Sequence, residues 1–242
     1  MRPRFHVPDL DASVSLVTLP PDEAAHLVRV LRLGAGAEVD VFDGRGALWR
    51  AEVVHADKTR VAVRPVARVD PAAETRVRIA LVASVLKGDK MDDVVRDAVM
   101  LGVSAIQPIV SVRSEISAGA LARSRRVERW QRVAVASVKQ CGRAVVPVVR
   151  EAVTFDRYLA GAAAGARVMC VEPGLRSVTL RELPVPEAVD VIIGPEGGWT
   201  HEEVSDAAAA GAVMVSLGAR TLRADAVPLV ALTALLTMWS EL

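Results

Sequence analysis

Three glycines and a glutamate are gathered in Val191-Ile-Ile-Gly-Pro-Glu-Gly-Gly198. Gly194, Gly197 and Gly198 allow backbone groups to approach a ligand closely and tolerate positive φ, while Pro195 stiffens the turn. A second loop, Leu217-Gly-Ala-Arg-Thr-Leu-Arg-Ala-Asp225, follows another apolar run that ends at Gly218. The ligand suited to this pair is not a pyrophosphate. Neither dinucleotide fingerprint nor P-loop occurs at these positions, and the charge of Glu196 opposes a bound phosphate. No Asp/Asn cluster lies beside Glu196, so no metal site is read. Bare backbone edges next to a carboxylate suit a neutral or cationic ligand rich in hydrogen-bonding edges. S-adenosylmethionine, with its adenine, ammonium and sulfonium, answers that description.

Such loops must leave the ends of buried strands. Val189–Ile193 and Val213–Leu217 are apolar runs short enough for a parallel sheet, as are Val77–Leu86, Ala105–Val110 and Val168–Val171. Helices are predicted over Met91–Leu101 and Ser124–Gln140, and Thr200-His-Glu-Glu203 forms a capping box that opens another. The alternation predicts an α/β domain whose strand ends converge on one pocket. Before Arg76 the rhythm is different. Val14–Leu19, Glu38–Phe42, Ala47–His55 and Val61–Val66 read as short strands with turns such as Asp43-Gly44 between them. Asp22 is placed to cap a helix reaching Leu33, with Gly34 ending it. These elements predict a small β-barrel over residues 1–70. The polar segment Ala67–Thr75 links it to the α/β domain, residues 76–242.

Composition narrows the class. The chain is 52% hydrophobic and 24% charged, enough for a packed core. With only 3% aromatic residues, the core must be built from aliphatic side chains. The formal net charge of +1 hides a cluster: between Ser111 and Arg150 stand nine Lys/Arg and two Asp/Glu. A local basic face points to a polyanionic partner. The alternative for Arg123–Arg132 is a solvated helix face. Cys141 and Cys170 give neither a disulfide framework nor C-x-x-C, which fits a reducing compartment. No secretory signal is visible, and the apolar helix expected over Pro228–Trp239 is shorter than the about 20 residues that cross a bilayer. A cytoplasmic protein without a membrane partner is expected. His6, His26, His55 and His201 show no metal-ligand spacing, and Lys87, Lys90 and Asp93 read as solvated.

The two loops closely resemble the motifs of the SPOUT methyltransferases, specifically the RsmE-type 16S ribosomal RNA uridine N3-methyltransferases. The likeness extends along nearly the whole chain, through Met1-Arg-Pro-Arg-Phe5, His26-Leu-Val-Arg-Val-Leu-Arg32, Val41-Phe-Asp-Gly44, Leu86-Lys-Gly-Asp-Lys-Met91, Leu101-Gly-Val103 and Lys139-Gln-Cys-Gly-Arg143. The resemblance implies a PUA-like RNA-binding β-barrel followed by a SPOUT α/β domain. It also implies a deep trefoil knot, with Leu217–Asp225 threaded beneath Gly194–Gly198, and a homodimer. The implied cofactor is S-adenosylmethionine, and the implied partner is 16S ribosomal RNA or the small ribosomal subunit.

Methylating uracil N3 requires the imidate anion to be generated or stabilised. Arg223 is the residue expected to meet that charge, with Asp225 acting as a general base or orienting Arg223; a surface ion pair is the alternative for both. The expected cofactor contacts are Val171, Glu172, Gly194, Pro195, Glu196, Gly197, Gly198, Ser216, Leu217, Gly218 and Leu222. Within this set Glu172 could hold ribose hydroxyls or be a solvated loop residue. Glu196 could fix its loop, touch cofactor or move a proton. RNA contacts are expected from Arg2, Arg4, Arg29 and Arg32 in the barrel, and from Arg113, Arg126, Arg129, Lys139 and Arg143 in the basic region. The chain departs from the family pattern where Asp225-Ala-Val227 replaces Glu-Thr-Ala, at Met100 and at Asp92. The shorter Asp225 keeps the charge but gives up reach. That departure favours a rival reading, an RNA-binding or ribosome-assembly protein without catalysis. Retained glycine loops oppose it, and a nucleotide-binding oxidoreductase is disfavoured by the missing fingerprint.

Overall fold

The computed structural model describes residues 2–57 and 60–242, so Met1, which opens the N-terminal match, lies outside it. The chain forms two units: Met1–Glu74 with Val135–Val146, and Thr75–Ala134 with Pro147–Leu242.

In the first unit, β1 (Arg4–His6), β2 (Val17–Thr18), β3 (Glu38–Phe42), β4 (Leu48–Ala56) and β5 (Val61–Arg68) form a sheet in the order β1-β3-β4-β5-β2. β1 runs parallel to β3, and the other pairs are antiparallel. Register shifts at Arg50/Ala51 and Val53/His55 bend the long β4–β5 ribbon, and the curled sheet closes over Phe5, Leu27, Val39, Val41, Val53 and Val63, each fully buried. The strand expected over Val14–Leu19 shrinks to two residues. Asp11 holds a turn by accepting from the amide and hydroxyl of Ser13, and pairing with β5 begins only at Val17↔Val63.

The helix differs from expectation at both ends. α1 (Pro21–Ala25) starts with Pro20 at the N-cap, and Asp22 caps nothing. Pro21 takes the first helical position, where its missing N–H is no loss. The helix passes into one π-helical turn, His26–Val30. It stops short of Gly34, because Arg32 adopts a left-handed conformation with φ 56°.

Three residues expected to contact RNA are structural supports of this unit. Arg4, 7% exposed, donates to the carbonyls of Val138 (3.1 Å) and Arg143 (2.7 Å) and lies over the Phe42 ring. Lys139 donates to both carboxylate oxygens of the buried Glu23, at 2.9 and 2.7 Å. Arg143, 4% exposed, forms a two-nitrogen contact with Glu74. Buried cations need such partners, and these partners lie far away in sequence.

The second unit runs β6 (Arg78–Ser84), α2 (Lys90–Met100), β7 (Ala105–Val110), α3 (Ala118–Ala122), α4 (Arg126–Cys141), β8 (Val148–Val149), β9 (Val153–Thr154), α5 (Phe155–Ala160), β10 (Ala166–Cys170), β11 (Ala188–Ile193), α6 (His201–Ala209), β12 (Ala212–Val215) and α7 (Val227–Met238). The last residues of α4 are counted with the first unit. The sheet order is β12-β10-β11-β6-β7-β8, with β9 also on β7. Every pair is parallel. β11 is buried at all six positions, which explains why it is apolar everywhere except at Asp190. α2 buries Met91, Val94, Val95, Ala98 and Val99 and turns its aspartates outward. Thr200 and Glu203 complete the expected capping box of α6. Among the described residues, no helix is long and apolar enough to cross a membrane.

Candidate functional site

β12, β10 and β11 are neighbours, although the chain visits them in the order β10, β11, β12. Their carboxyl ends therefore open around a crevice where the strand order reverses, the usual ligand position in such sheets. The segments after these three strands line a cavity of about 330 Å³. Val171, Glu172, Gly194, Pro195, Glu196, Gly198, Leu217, Gly218, Leu222, Arg223 and Asp225 all contribute to it.

Packing explains the first glycine loop. A Cβ on Gly194 would sit 2.9 Å from the Trp199 indole. That indole donates to the Cys170 carbonyl (3.0 Å) and packs on Phe155, so it cannot move aside. Gly198 has φ +70°, a region hostile to side chains, and its Cβ would collide with the Glu172 carboxylate. Glu172 accepts from the Trp199 amide (3.3 Å), so it ties the end of β10 to the loop after β11. Burial pushes the Cys170 thiol up to about 12, which removes a thiolate nucleophile from the cavity.

Glu196 fixes its loop. Its Oε1 accepts from the Lys87 amide (3.2 Å) and from Lys90 Nζ (3.0 Å). Burial pushes its pKa up, but the hydrogen bonds from Lys90, its own amide and Lys87 prevail and hold the carboxyl below the ordinary glutamate range. Arg223 and Asp225 form a two-point fork: Nε reaches Oδ1 and Nη2 reaches Oδ2, both at 3.1 Å. The aspartate therefore does reach the guanidinium. Burial raises the Asp225 pKa, but the Arg223 hydrogen bonds, its own amide and the charges of Arg223 and Lys90 together outweigh it, so the carboxyl sits below its ordinary range. The Arg223 side chain remains 75% exposed, with Nη1 outside the fork.

Two expected cofactor contacts do not line the cavity. A Cβ on Gly197 would meet Arg113 at 3.0 Å, not the crevice, and Ser216 turns its hydroxyl to the Gly218 carbonyl (3.1 Å). Arg113, expected on RNA, instead buttresses the glycine loop by donating to the carbonyls of Gly197 (2.9 Å) and Trp199 (3.2 Å). Arg129 is held by Asp89 and Asp92, and Arg2 pairs with Glu38 at the surface. Of the RNA candidates, Arg29, Arg32 and Arg126 show neither an ion pair nor a side-chain hydrogen bond among the described residues. Sequence reasoning missed Lys90, Trp199, Arg220 and Thr221 as lining residues. For Lys90 a signal existed: it opens α2 within the charged run Lys87-Gly-Asp-Lys90.

No group of three or more His, Cys, Asp or Glu suited to a metal occurs among the described residues. The cavity's size suits a small organic ligand. Its apolar walls at Ile193 and Leu222, the backbone edges of the three loops, the open space beside Gly218 and the carboxylates of Glu172 and Glu196 fit the adenosyl, amino and sulfonium parts of S-adenosylmethionine.

Known proteins agree with this geometry. The RNA methyltransferase domain pattern matches residues 73–236, and the RNA methyltransferase PUA domain pattern matches residues 19–66. The ribosomal RNA small subunit methyltransferase E of Synechocystis is 32% identical over 221 residues, 89% of this chain and 71% of that protein. The crystal structure of the Neisseria gonorrhoeae ribosomal RNA small subunit methyltransferase E, bound to S-adenosyl methionine, superimposes with a TM-score of 0.91 at 30% identity, covering 99% of this chain and 98% of that one. A Legionella pneumophila methyltransferase with bound cofactor SAM gives 0.91 at 29% identity, covering 98% of both chains.

Proposed function

Because the chain belongs to the RNA methyltransferase family, among the ribosomal RNA small subunit methyltransferases E, we propose that it methylates N3 of a uridine in small-subunit ribosomal RNA with S-adenosylmethionine as donor. The observation that carries this reading is the Arg223–Asp225 fork on the rim of a cavity built from three glycine-containing or acidic strand-end loops. When bound, the cofactor supplies an electrophilic methyl group. Glu172, Glu196 and the backbone of Gly194–Gly198 and Leu217–Gly218 hold it, and the apolar walls exclude water.

Arg223 offers Nη1 to a uracil oxygen as the N3 proton passes to solvent water at this exposed rim and negative charge spreads to that oxygen. Asp225 fixes the guanidinium plane. With its pKa below the ordinary range it is a weak base, so orienting Arg223 is the role its electrostatics favour over accepting the proton.

The remaining parts of the proposal rest on the family relation. Residues 1–70 act as a PUA-like barrel that binds RNA, and residues 76–242 carry out the transfer. The loop Leu217–Asp225 threads beneath Gly194–Gly198 as a trefoil knot, supported by the lining of one cavity by both segments. The protein works in the cytoplasm as a homodimer, supported by exposed Leu229, Val230 and Met238 on α7. The rival, a non-catalytic RNA-binding protein, rested on a carboxylate too short to serve, and Asp225 reaches Arg223 with both oxygens.

Small-subunit RNA from a strain lacking the gene tests the proposal. Incubated with protein and S-adenosylmethionine, it should gain one methyl group that mass spectrometry places on uridine N3. Cofactor binding without transfer to either free RNA or assembled subunits would favour the rival.

A further inference from the structure

One carboxylate oxygen stands between the cofactor cavity and a second recess. Glu196 Oε1 accepts from Lys90 Nζ and from the Lys87 amide. Lys90 lines the first cavity and Lys87 lines the second. The second recess holds about 460 Å³ and lies among the segment after β6, the loop before α3, α3 itself and the first residue of α4. Its floor is apolar, made by Val85, Leu86, Ile116 and Ala120, and Arg126 stands at its side.

Arg126 carries uncompensated charge. Glu115, which lines the same recess, is already committed to Lys87 (3.1 Å), and elsewhere Glu128 is committed to Arg125 (2.8 Å) and Asp89 and Asp92 to Arg129. Arg126 makes no ion pair among the described residues, and only its backbone amide is engaged, by the Ser124 hydroxyl (3.3 Å). An apolar floor beside one free guanidinium fits an apolar ring attached to a phosphate better than it fits a bare anion. A guanidinium binds phosphate oxygens in a planar, two-point fashion.

We propose that this recess receives a nucleotide of the RNA next to the uridine being methylated, its base on the aliphatic floor and its phosphate on Arg126. The inference rests on the methyl-transfer reading above and names a second RNA subsite for it. Recognition there would use shape and phosphate, because among the described residues no aromatic ring lines the recess for a base to stack on. The shared Glu196 contact places this subsite beside the transfer cavity, so the two nucleotides are neighbours on one strand.

The test compares wild type, Arg126→Ala, Arg126→Lys and Ala120→Phe for binding to deproteinised small-subunit RNA, for S-adenosylmethionine affinity and for methyl transfer. Arg126→Ala should weaken RNA binding roughly 10- to 100-fold, as expected for a lost charge-assisted hydrogen bond, and should reduce the salt slope by about one. Arg126→Lys should recover part of the loss. Ala120→Phe fills the recess without changing charge, so it should weaken RNA binding with the salt slope unchanged. All variants should keep wild-type cofactor affinity. Unchanged RNA affinity in both Arg126→Ala and Ala120→Phe would overturn the proposal. So would a defect seen only with protein-containing subunits, which would make the occupant a ribosomal protein. If Ala120→Phe loses cofactor binding through misfolding, the two Arg126 variants decide. RNA binding that depends on the recess, with no transfer by wild type, would sink the methyl-transfer reading and leave the subsite standing.

Discussion

Arg223 commits two nitrogens to Asp225 and leaves Nη1 outside the fork. If that nitrogen meets charge that exists only in the transition state, Arg223→Ala should cut kcat about 10²–10³-fold with little change in cofactor or RNA affinity, measured by single-turnover transfer and calorimetry. The pH dependence follows from the sign of the shift. A carboxylate whose folded pKa lies below its ordinary value is fully ionised above that value, about 3.9 for aspartate. The fork's contribution is lost only as pH falls through the lowered pKa. Binding and turnover should therefore show no acidic limb from Asp225 above about pH 4, and a limb near neutrality would refute the assignment. The glycine loop gives a second contrast. Gly198→Ala puts a Cβ into the Glu172 carboxylate at positive φ, a strain on the order of 1–3 kcal/mol, and should weaken cofactor binding severely. Gly197→Ala presses only on Arg113 and should be milder in the same titration. Equal losses in the two variants would contradict the geometry.

Elements that depend on local pattern were legible in the sequence, and those that depend on distant partners were not. β11, β7 and the α6 capping box follow from apolar runs and a Thr-x-x-Glu spacing, and their observed bounds stay close to the predicted ones. β1, β8 and β9 are two or three residues long, with too little periodicity to register, and each exists because a longer strand offers an edge. The cavity lining was legible where glycine and proline mark a turn, and it was missed at Lys90, which reaches it from the start of α2, and at Trp199, whose place just after Gly198 says nothing of where its ring turns. The arginines show the same limit: Arg4, Arg113 and Arg143 look alike in sequence to Arg126, yet only their partners tell a strut from a free cation. The buried Tyr158–Asp190 contact (2.6 Å), also invisible in the sequence, joins α5 to β11 beneath the site. Burial and the neighbouring carboxylate both raise the Tyr158 pKa, so the phenol stays protonated and acts as donor. Tyr158→Phe leaves Asp190, 6% exposed, without that donor and should cost about 1–3 kcal/mol in urea unfolding. No loss would mean that Asp190 is satisfied by water.

At the scale of the molecule, α7 is apolar except at the exposed Thr233 and Thr237, and it also exposes Leu229, Val230 and Met238. Such a helix calls for cover. Sedimentation should find a dimer for wild type and a monomer for Val230→Glu, with the monomer folded by circular dichroism; a wild-type monomer at micromolar concentration would refute the dimer. The first unit carries a different consequence. Val135–Val146 belongs to it although Thr75–Ala134 of the second unit separates this segment from residue 74. Lys139 neutralises buried Glu23, and Arg143 neutralises Glu74. A fragment ending at residue 74 would keep both glutamates and lose both cations, and for the buried Glu23 an uncompensated charge costs about 3–5 kcal/mol. A gene fusion or recombination event that cuts once between the two halves would therefore transplant an unfinished PUA-like head. Inheritance of this head is tied to the enzyme that interrupts it, so the two cannot be shuffled as separate cassettes.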